Sequence, residues 1–228
     1  MSRAERALPL SPHAAAEARD HMVEHQLRRR GRFDERVLEA MSRVPREHFV
    51  PEELRHLAYT DDALPIGSRQ TISQPFMVAT ICQLLGLTGD ERVLDVGTGS
   101  GYQAAVLAEL AAQVVTIERV PELAERARSA LAEVGYDEVE VLVGDGSLGA
   151  PARAPFDGIA VAAAAPAIPP ALVEQLVEGG RLVIPRGGRW GQRLVLVERT
   201  EDGARERSSV SCRFVPLIGV EGFSGGAA

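Results

Sequence analysis

VLDVGTGSGYQAAVLA, residues 93–108, decides the fold. It opens with a short apolar run, turns on three glycines, and continues as a small-residue helix. Gly97, Gly99 and Gly101 let the backbone turn sharply and approach a ligand closely. The helix that follows points its free N–H groups at the same place. A strand, a glycine turn and a helix in that order form the first half of a βαβ unit.

The pattern continues on the C-terminal side. QVVTIER, VEVLVGD, FDGIAVAAA and RLVIPRG are short apolar runs, and the helical stretches ELAERARSALAEVG and PPALVEQLVEGG separate them. Runs of about five apolar residues spaced by ~10–15-residue helical segments predict a doubly wound α/β fold around a mostly parallel sheet. RLVLVER and VSCRFVPLIG then read as a closing hairpin joined by TEDGARERSS.

On the N-terminal side, residues 1–15 read as a flexible leader, and 16–228 as a single domain. Within that domain, residues 16–90 read as a helical, substrate-covering part. Residues 91–228 read as the donor-binding sheet with its hairpin. Two helices are expected between about Ala15 and Met41, broken at Gly31, with Asp34 capping the second. Residues 44–75 are rich in proline yet carry Phe49, Leu54, Tyr59 and Ile66, so they read as packed irregular chain. Gln74 and Pro75 open an apolar helix that closes near Gly86 or Gly89.

A glycine turn of this kind serves NAD, FAD or S-adenosylmethionine. The spacing here is G-x-G-x-G, whereas dinucleotide folds favour G-x-G-x-x-G. Asp95, in the strand before the turn, suits a cationic α-ammonium and opposes a pyrophosphate. Glu118, closing the second strand, can accept both hydroxyls of a ribose. Asp145, after the third strand, can accept from an adenine amino group, and Gly146 leaves room for the ring. These positions fall at the C-terminal ends of successive strands, where open α/β sheets bind ligands. The expected cofactor is S-adenosyl-L-methionine.

Composition fits an ordinary soluble domain: 228 residues, 45% hydrophobic, 25% charged, formal net charge −7. That charge argues against binding a phosphate backbone. No apolar run approaches the ~18 residues of a membrane span. Arg28, Arg29, Arg30 and Arg32 read as a solvated face. Cys82 and Cys212 have no His or Cys at ligand spacing, so no metal is expected. The expected setting is cytoplasmic, as a monomer, with no nucleic-acid or membrane partner.

Beyond the glycine turn, VPREHFVP (44–51), AYTDDALPIG (58–67), QTISQP (70–75), IERVPELAERAR, GDGSLG and the closing FVPLIGVEGF carry a more specific signal. In these segments the chain resembles the protein-L-isoaspartate (D-aspartate) O-methyltransferases, from about Met22 to Phe223. QTISQP carries most of the likeness. The resemblance implies the doubly wound, S-adenosylmethionine-dependent methyltransferase sheet, with its last two strands exchanged in order and extra N-terminal helices over the site. It implies methyl transfer to the free carboxylate of isoaspartyl residues in damaged proteins and peptides. The ester then closes to a succinimide, which begins repair. Ser73 is the implied active-site residue, with Thr71 and Ile72 beside it. The implied donor contacts are Gly97, Gly99, Glu118, Asp145 and Gly146. Asp95, Thr98, Gly101 and Arg119 complete the candidate set. On this reading Asp95→Ala weakens donor binding and Ser73→Ala lowers turnover.

Two positions depart from the family pattern. Arg69 stands where glycine is common, so either the turn is rebuilt or Arg69 meets the acidic substrate. Ala162 stands where threonine is frequent. Three other readings stay open on sequence: a methyltransferase for another peptide or small-molecule carboxylate, a NAD-binding oxidoreductase, and a donor-binding protein without turnover.

Overall fold

The computed structural model describes residues 11–188 and 191–225. Helix α1 (Pro12–His21) starts earlier than the sequence predicts. Ser11 accepts from the Ala14 N–H at 3.2 Å, and Pro12 takes the first helical position, where no N–H is needed. Of the expected leader, residues 1–10 lie outside the described residues. The helix runs on, more widely wound, through Met22–Arg28 and ends before Gly31, burying Met22, Val23 and Leu27. Helix α2 (Glu35–Arg43) follows. Asp34 stands at its start but does not cap it. The Asp34 carboxylate instead accepts from Gln83 Nε2 at 2.8 Å, tying α2 to α3 (Pro75–Leu85). α3 begins and ends as predicted, with Gly86 left-handed at φ 65°. The arginine run is exposed, as expected, and two of its four side chains are ion-paired. Arg28 meets Glu24 and Glu35, and Arg30 meets Asp61 while lying 4.8 Å from the Phe76 ring centre.

Between α2 and α3, β1 (Leu64–Gly67) and β2 (Gln70–Ile72) form a separate two-stranded hairpin. Its turn residues, Ser68 and Arg69, are both left-handed, with φ of 48° and 58°. Two-residue hairpin turns of this hand require φ > 0 at both positions, which suits glycine and strains a side chain. The turn is therefore kept, and the exposed Arg69 bears the strain. Arg69→Gly is expected to raise stability by about 1 kcal/mol, read as a higher urea midpoint. A midpoint at or below wild type would show an unstrained turn.

The main sheet has seven strands: β3 (Arg92–Val96), β4 (Gln113–Glu118), β5 (Glu140–Val143), β6 (Phe156–Val161), β7 (Leu176–Gly188), β8 (Gly191–Thr200) and β9 (Gly203–Cys212). Their spatial order is β5-β4-β3-β6-β7-β8-β9, with β8 antiparallel to both neighbours and the other pairs parallel. The last two strands thus follow in chain order. Helices α4 (Tyr102–Ala108) and α5 (Pro121–Glu133) make the crossovers beside β3, β4 and β5. Alternation along the strands divides the core between the faces. Val93, Val114, Ala160 and Val183 pack under the N-terminal helices, α3, α4 and α5. Leu94, Val115, Ile159 and Leu182 face the other way, toward Leu172 of the short helix α6 (Pro170–Glu174).

Three sequence expectations change here. PPALVEQLVEGG is helical only as α6, because Leu176 already pairs with Phe156 in the sheet. β7 then bulges before Arg181 meets Gly158, and Gly179, at φ 76°, lies in the bulge. The β8–β9 connection is only Glu201 and Asp202, so ARERSS belongs to a strand. Conversely, FVPLIG leaves the sheet after Cys212. Val215 O accepts from the Ala164 N–H and the Leu217 N–H donates to Ala164 O, both at 2.8 Å, so this segment lies across the loop after β6. Among the described residues, no helix is long and apolar enough to cross a membrane.

Candidate active site

A cleft opens at the C-terminal ends of β3, β4 and β6, where the strand order reverses. The glycine turn forms its floor. Gly97 and Gly99 hold φ of 94° and 53°, a backbone that L-residues adopt only at a cost. Gly97, Thr98 and Gly99 line the cleft. Gly101 does not; it is packed against Leu131, Ala127 and Phe49 at the start of α4.

Glu118 ends β4 and enters the cleft wall at 7% exposure. Each of its carboxylate oxygens accepts one backbone N–H at 2.9 Å, from Gly99 and from Val120. A carboxylate has about four acceptor sites. Two are used to fix the turn and two remain.

Asp95 lies deeper. It is 0% exposed and sits beneath the turn, outside the cleft wall. Oδ1 accepts from Gln103 Nε2 at 2.7 Å, and Oδ2 accepts from Thr116 Oγ1 at 2.8 Å. The Thr98 hydroxyl joins the chain, 2.7 Å from Thr116 Oγ1. Burial pushes the Asp95 carboxyl up to about 6, against the pull of these hydrogen bonds. Its charge can reach a cation in the cleft only through this network, not by open contact.

Asp145 is also engaged within the fold. Oδ1 accepts from the Ser147 N–H and hydroxyl, and Oδ2 from the Val220 N–H at 2.8 Å. It therefore ties the C-terminal segment to the loop after β5. Burial alone would raise its carboxyl, but the bonds from Val220 and Ser147, with the Arg119 charge, hold it below the usual range. Asp145 stays behind the cleft wall, whereas Gly146 is part of it. A Cβ on Gly146 would come 2.7 Å from Val96 Cγ1. Arg119 is exposed and lines the same cleft.

QTISQP supplies the opposite wall, with Thr71 exposed, Ile72 buried and Ser73 half-buried. A second, wider cleft of about 630 Å³ adjoins the first, and Thr71, Ser73 and Ala162 line both. Gln74, not Ser73, holds the position before α3, and the Phe76 N–H is met by Asp61 Oδ1 at 3.4 Å. The Ser73 hydroxyl is therefore free of capping duty. FVPLIG closes both clefts from above, with Val215 in each.

Sequence reasoning gave Arg46 no role. It is 0% exposed, donates from Nε to Ala58 O at 2.7 Å and from Nη2 to Ser73 O at 2.8 Å, and stacks 4.7 Å from the Tyr102 ring centre. No carboxylate lies within ion-pair distance of it among the described residues. Burial pushes its guanidinium down to about 10. Losing two charge-assisted bonds and the stacking outweighs relief of that burial. Arg46→Met is accordingly expected to lower stability by about 2 kcal/mol, and Arg46→Lys, which cannot fork, to recover only part. Unchanged urea midpoints in both would contradict this. Gln103 was also missed, since its partner Asp95 is set by the packing of α4 on β3.

The family model for protein-L-isoaspartate(D-aspartate) O-methyltransferase matches residues 17–222. The chain is 55% identical over 208 residues to protein-L-isoaspartate O-methyltransferase 1 of Syntrophobacter fumaroxidans, covering 91% of this chain and 97% of that one. It is 57% identical over 210 residues to protein-L-isoaspartate O-methyltransferase 2 of Marinobacter nauticus, covering 91% and 96%. A solved protein-L-isoaspartate O-methyltransferase superposes with a TM-score of 0.80 at 27% identity, over 90% of this chain and 67% of its own. A Plasmodium falciparum chain named for the same activity, crystallised with S-adenosyl-L-homocysteine, superposes with a TM-score of 0.78 at 25% identity, over 88% and 98%.

Proposed function

The chain belongs to the protein-L-isoaspartate(D-aspartate) O-methyltransferase family, and from that premise we propose how its residues divide the work. It is an S-adenosylmethionine-dependent enzyme that methylates isoaspartyl residues of proteins in the service of repair. The dinucleotide reading falls with that membership.

The cleft fits the donor on its own chemistry. Glu118 keeps two acceptor sites for a ribose diol, and the side-chain-free turn at Gly97 and Gly99 admits close approach. When bound, S-adenosylmethionine supplies a methyl group already activated on a sulfonium. Thr98, Gly99, Arg119 and Gly146 line its place. Asp95 acts from below by fixing Gln103 and Thr116, and Asp145 by holding the C-terminal cover. Gly101 sets the start of α4.

The acceptor carboxylate has a reference pKa near ~4 and is ionised at neutral pH, so no general base is needed. The protein's task is alignment of oxygen, methyl carbon and sulfur. Ser73 supports this best, because it stands in the wall common to both clefts with a free hydroxyl, and Arg46 fixes its carbonyl. Ser73 orients the carboxylate, with Thr71 and Ile72 shaping the passage. Ser73→Ala is expected to lower kcat about tenfold, the worth of one hydrogen bond to a charged group, with S-adenosylhomocysteine affinity unchanged. Full turnover in that variant would remove Ser73 from the reaction.

The reading extends to a monomer that works in the cytoplasm, with residues 16–228 acting as one unit. Methyl transfer from labelled donor to a peptide with L-isoaspartate, beside the same peptide with normal aspartate, tests the whole. Base-labile label on the isoaspartyl peptide alone is expected. Equal labelling of both peptides would move the reaction to another carboxylate.

A further inference from the structure

The wider cleft, about 630 Å³, exceeds what one isoaspartyl side chain fills, so it receives the residues beside it as well. Among the described residues its walls are neutral apart from one side chain. Met77, Gln74 and Ser73 form one side, and Cys212 and Phe214 the other, with Arg213 between them.

Arg213 differs from the other exposed arginines that lack a carboxylate partner, among them Arg29, Arg32, Arg69, Arg119, Arg205 and Arg207, in lining the wider cleft. Arg28, Arg43, Arg128, Arg153 and Arg186 each meet a carboxylate within 4.0 Å. Arg213 is exposed and makes no hydrogen bond or ion pair among the described residues. Its backbone is nonetheless fixed. Cys212 pairs with Gln192 in the sheet, and the Gln192 amide holds Phe214 at both ends. Phe214 N–H donates to Oε1 at 2.7 Å, and Nε2 donates to Phe214 O at 3.1 Å. An unpartnered cation thus projects from a rigid point into a neutral cleft, on a protein whose net charge of −7 repels acidic peptides elsewhere.

We propose that Arg213 sets substrate preference by pairing with an acidic side chain next to the isoaspartyl residue. The proposal rests on the isoaspartyl-methyltransferase reading and adds to it a charge rule for the flanking sequence. Arg213 lies outside the wall of the donor cleft, and the proposal pairs it with the flanking residue, not with the reacting carboxylate. It therefore acts on KM and leaves kcat alone. An exposed pair of this kind is worth about two- to fivefold, and salt screens it.

The test uses isoaspartyl peptides identical except for Glu, Ala or Lys at either neighbouring position, with wild type and Arg213→Glu. Wild type is expected to show a KM for a Glu-flanked peptide about two- to fivefold lower than for its Lys-flanked twin. Arg213→Glu is expected to invert that order with the same kcat, and 0.5 M salt to flatten both. Arg213 is exposed, so the variant keeps the fold. The same Glu-to-Lys ratio in both proteins would overturn the proposal. Should wild type label none of the peptides, the assigned reaction is what fails. Peptide affinities measured by calorimetry with S-adenosylhomocysteine present then read the charge rule directly, and equal affinities would overturn it.

Discussion

Glu118→Ala is expected to weaken S-adenosylhomocysteine binding about 100-fold or more, the largest single effect at the site. The two acceptor sites left on Glu118 after Gly99 and Val120 are served would each make a charge-assisted hydrogen bond to a ribose hydroxyl. Such bonds contribute about 1.5–3 kcal/mol each. Two at the low end give about 3 kcal/mol, which is roughly 100-fold in Kd. Alanine also releases the Gly99 and Val120 N–H groups, so the turn loses the anchor that holds its shape. Glu118→Gln keeps the volume but sets an amide NH₂ against a backbone N–H, and belongs between alanine and wild type. Calorimetry at fixed ionic strength measures all three, with circular dichroism confirming the fold. An alanine variant within threefold of wild type would take Glu118 out of the donor site.

Asp95→Asn is expected to change how stability depends on pH. Burial raises the Asp95 carboxyl from 3.8 to about 6, so the folded protein holds this proton more tightly than the unfolded chain does. Its contribution is most favourable below about pH 3.8 and is lost as pH rises toward about 6. Roughly two pH units at 1.36 kcal/mol each make this about 3 kcal/mol. Asparagine carries no such proton. Relative to the variant, wild type should therefore lose roughly 2 kcal/mol between pH 4 and pH 7, the rest having gone below pH 4, read as the difference between urea unfolding free energies. The other titrating groups are common to both proteins and cancel in that difference. A constant gap across the range would mean that Asp95 titrates normally. Donor affinity of the same variant separates the two roles considered for Asp95. A large loss supports an electrostatic part in holding the ammonium, and a small one a purely architectural part.

The parts of the site that were legible in the sequence are those carried by local pattern. The G-x-G-x-G turn, the acidic end of VVTIE and the QTISQP segment each compress their meaning into a few neighbouring residues, and each lies in the cleft wall. Asp95 and Asp145 were legible as chemistry but not as geometry. A carboxylate at a strand end looks the same in sequence whether it faces a ligand or a neighbouring backbone. Gln103 lies eight residues from Asp95 and Thr116 lies 21 away. Val220 reaches Asp145 across 75 residues. Arg46 was silent for the same reason, since its partner Ser73 is 27 residues on.

The sequence by itself determined the α/β alternation, the crossover helices of the glycine half, the cap of α3, the closing hairpin and a cleft at the strand ends. These follow from periods of two and 3.6 residues, from the dihedral freedom of glycine and from the fixed φ of proline, which act over a few residues at a time. Only the tertiary structure decided that FVPLIG leaves the sheet to roof the clefts, that β7 bulges in place of a longer helix, and that Ser73 stands where two clefts meet. Only it left Arg213 as the one charge lining the wider cleft among the described residues. A buried polar group takes whichever partner the packing of distant segments brings within hydrogen-bond distance, and no local window of sequence contains that information.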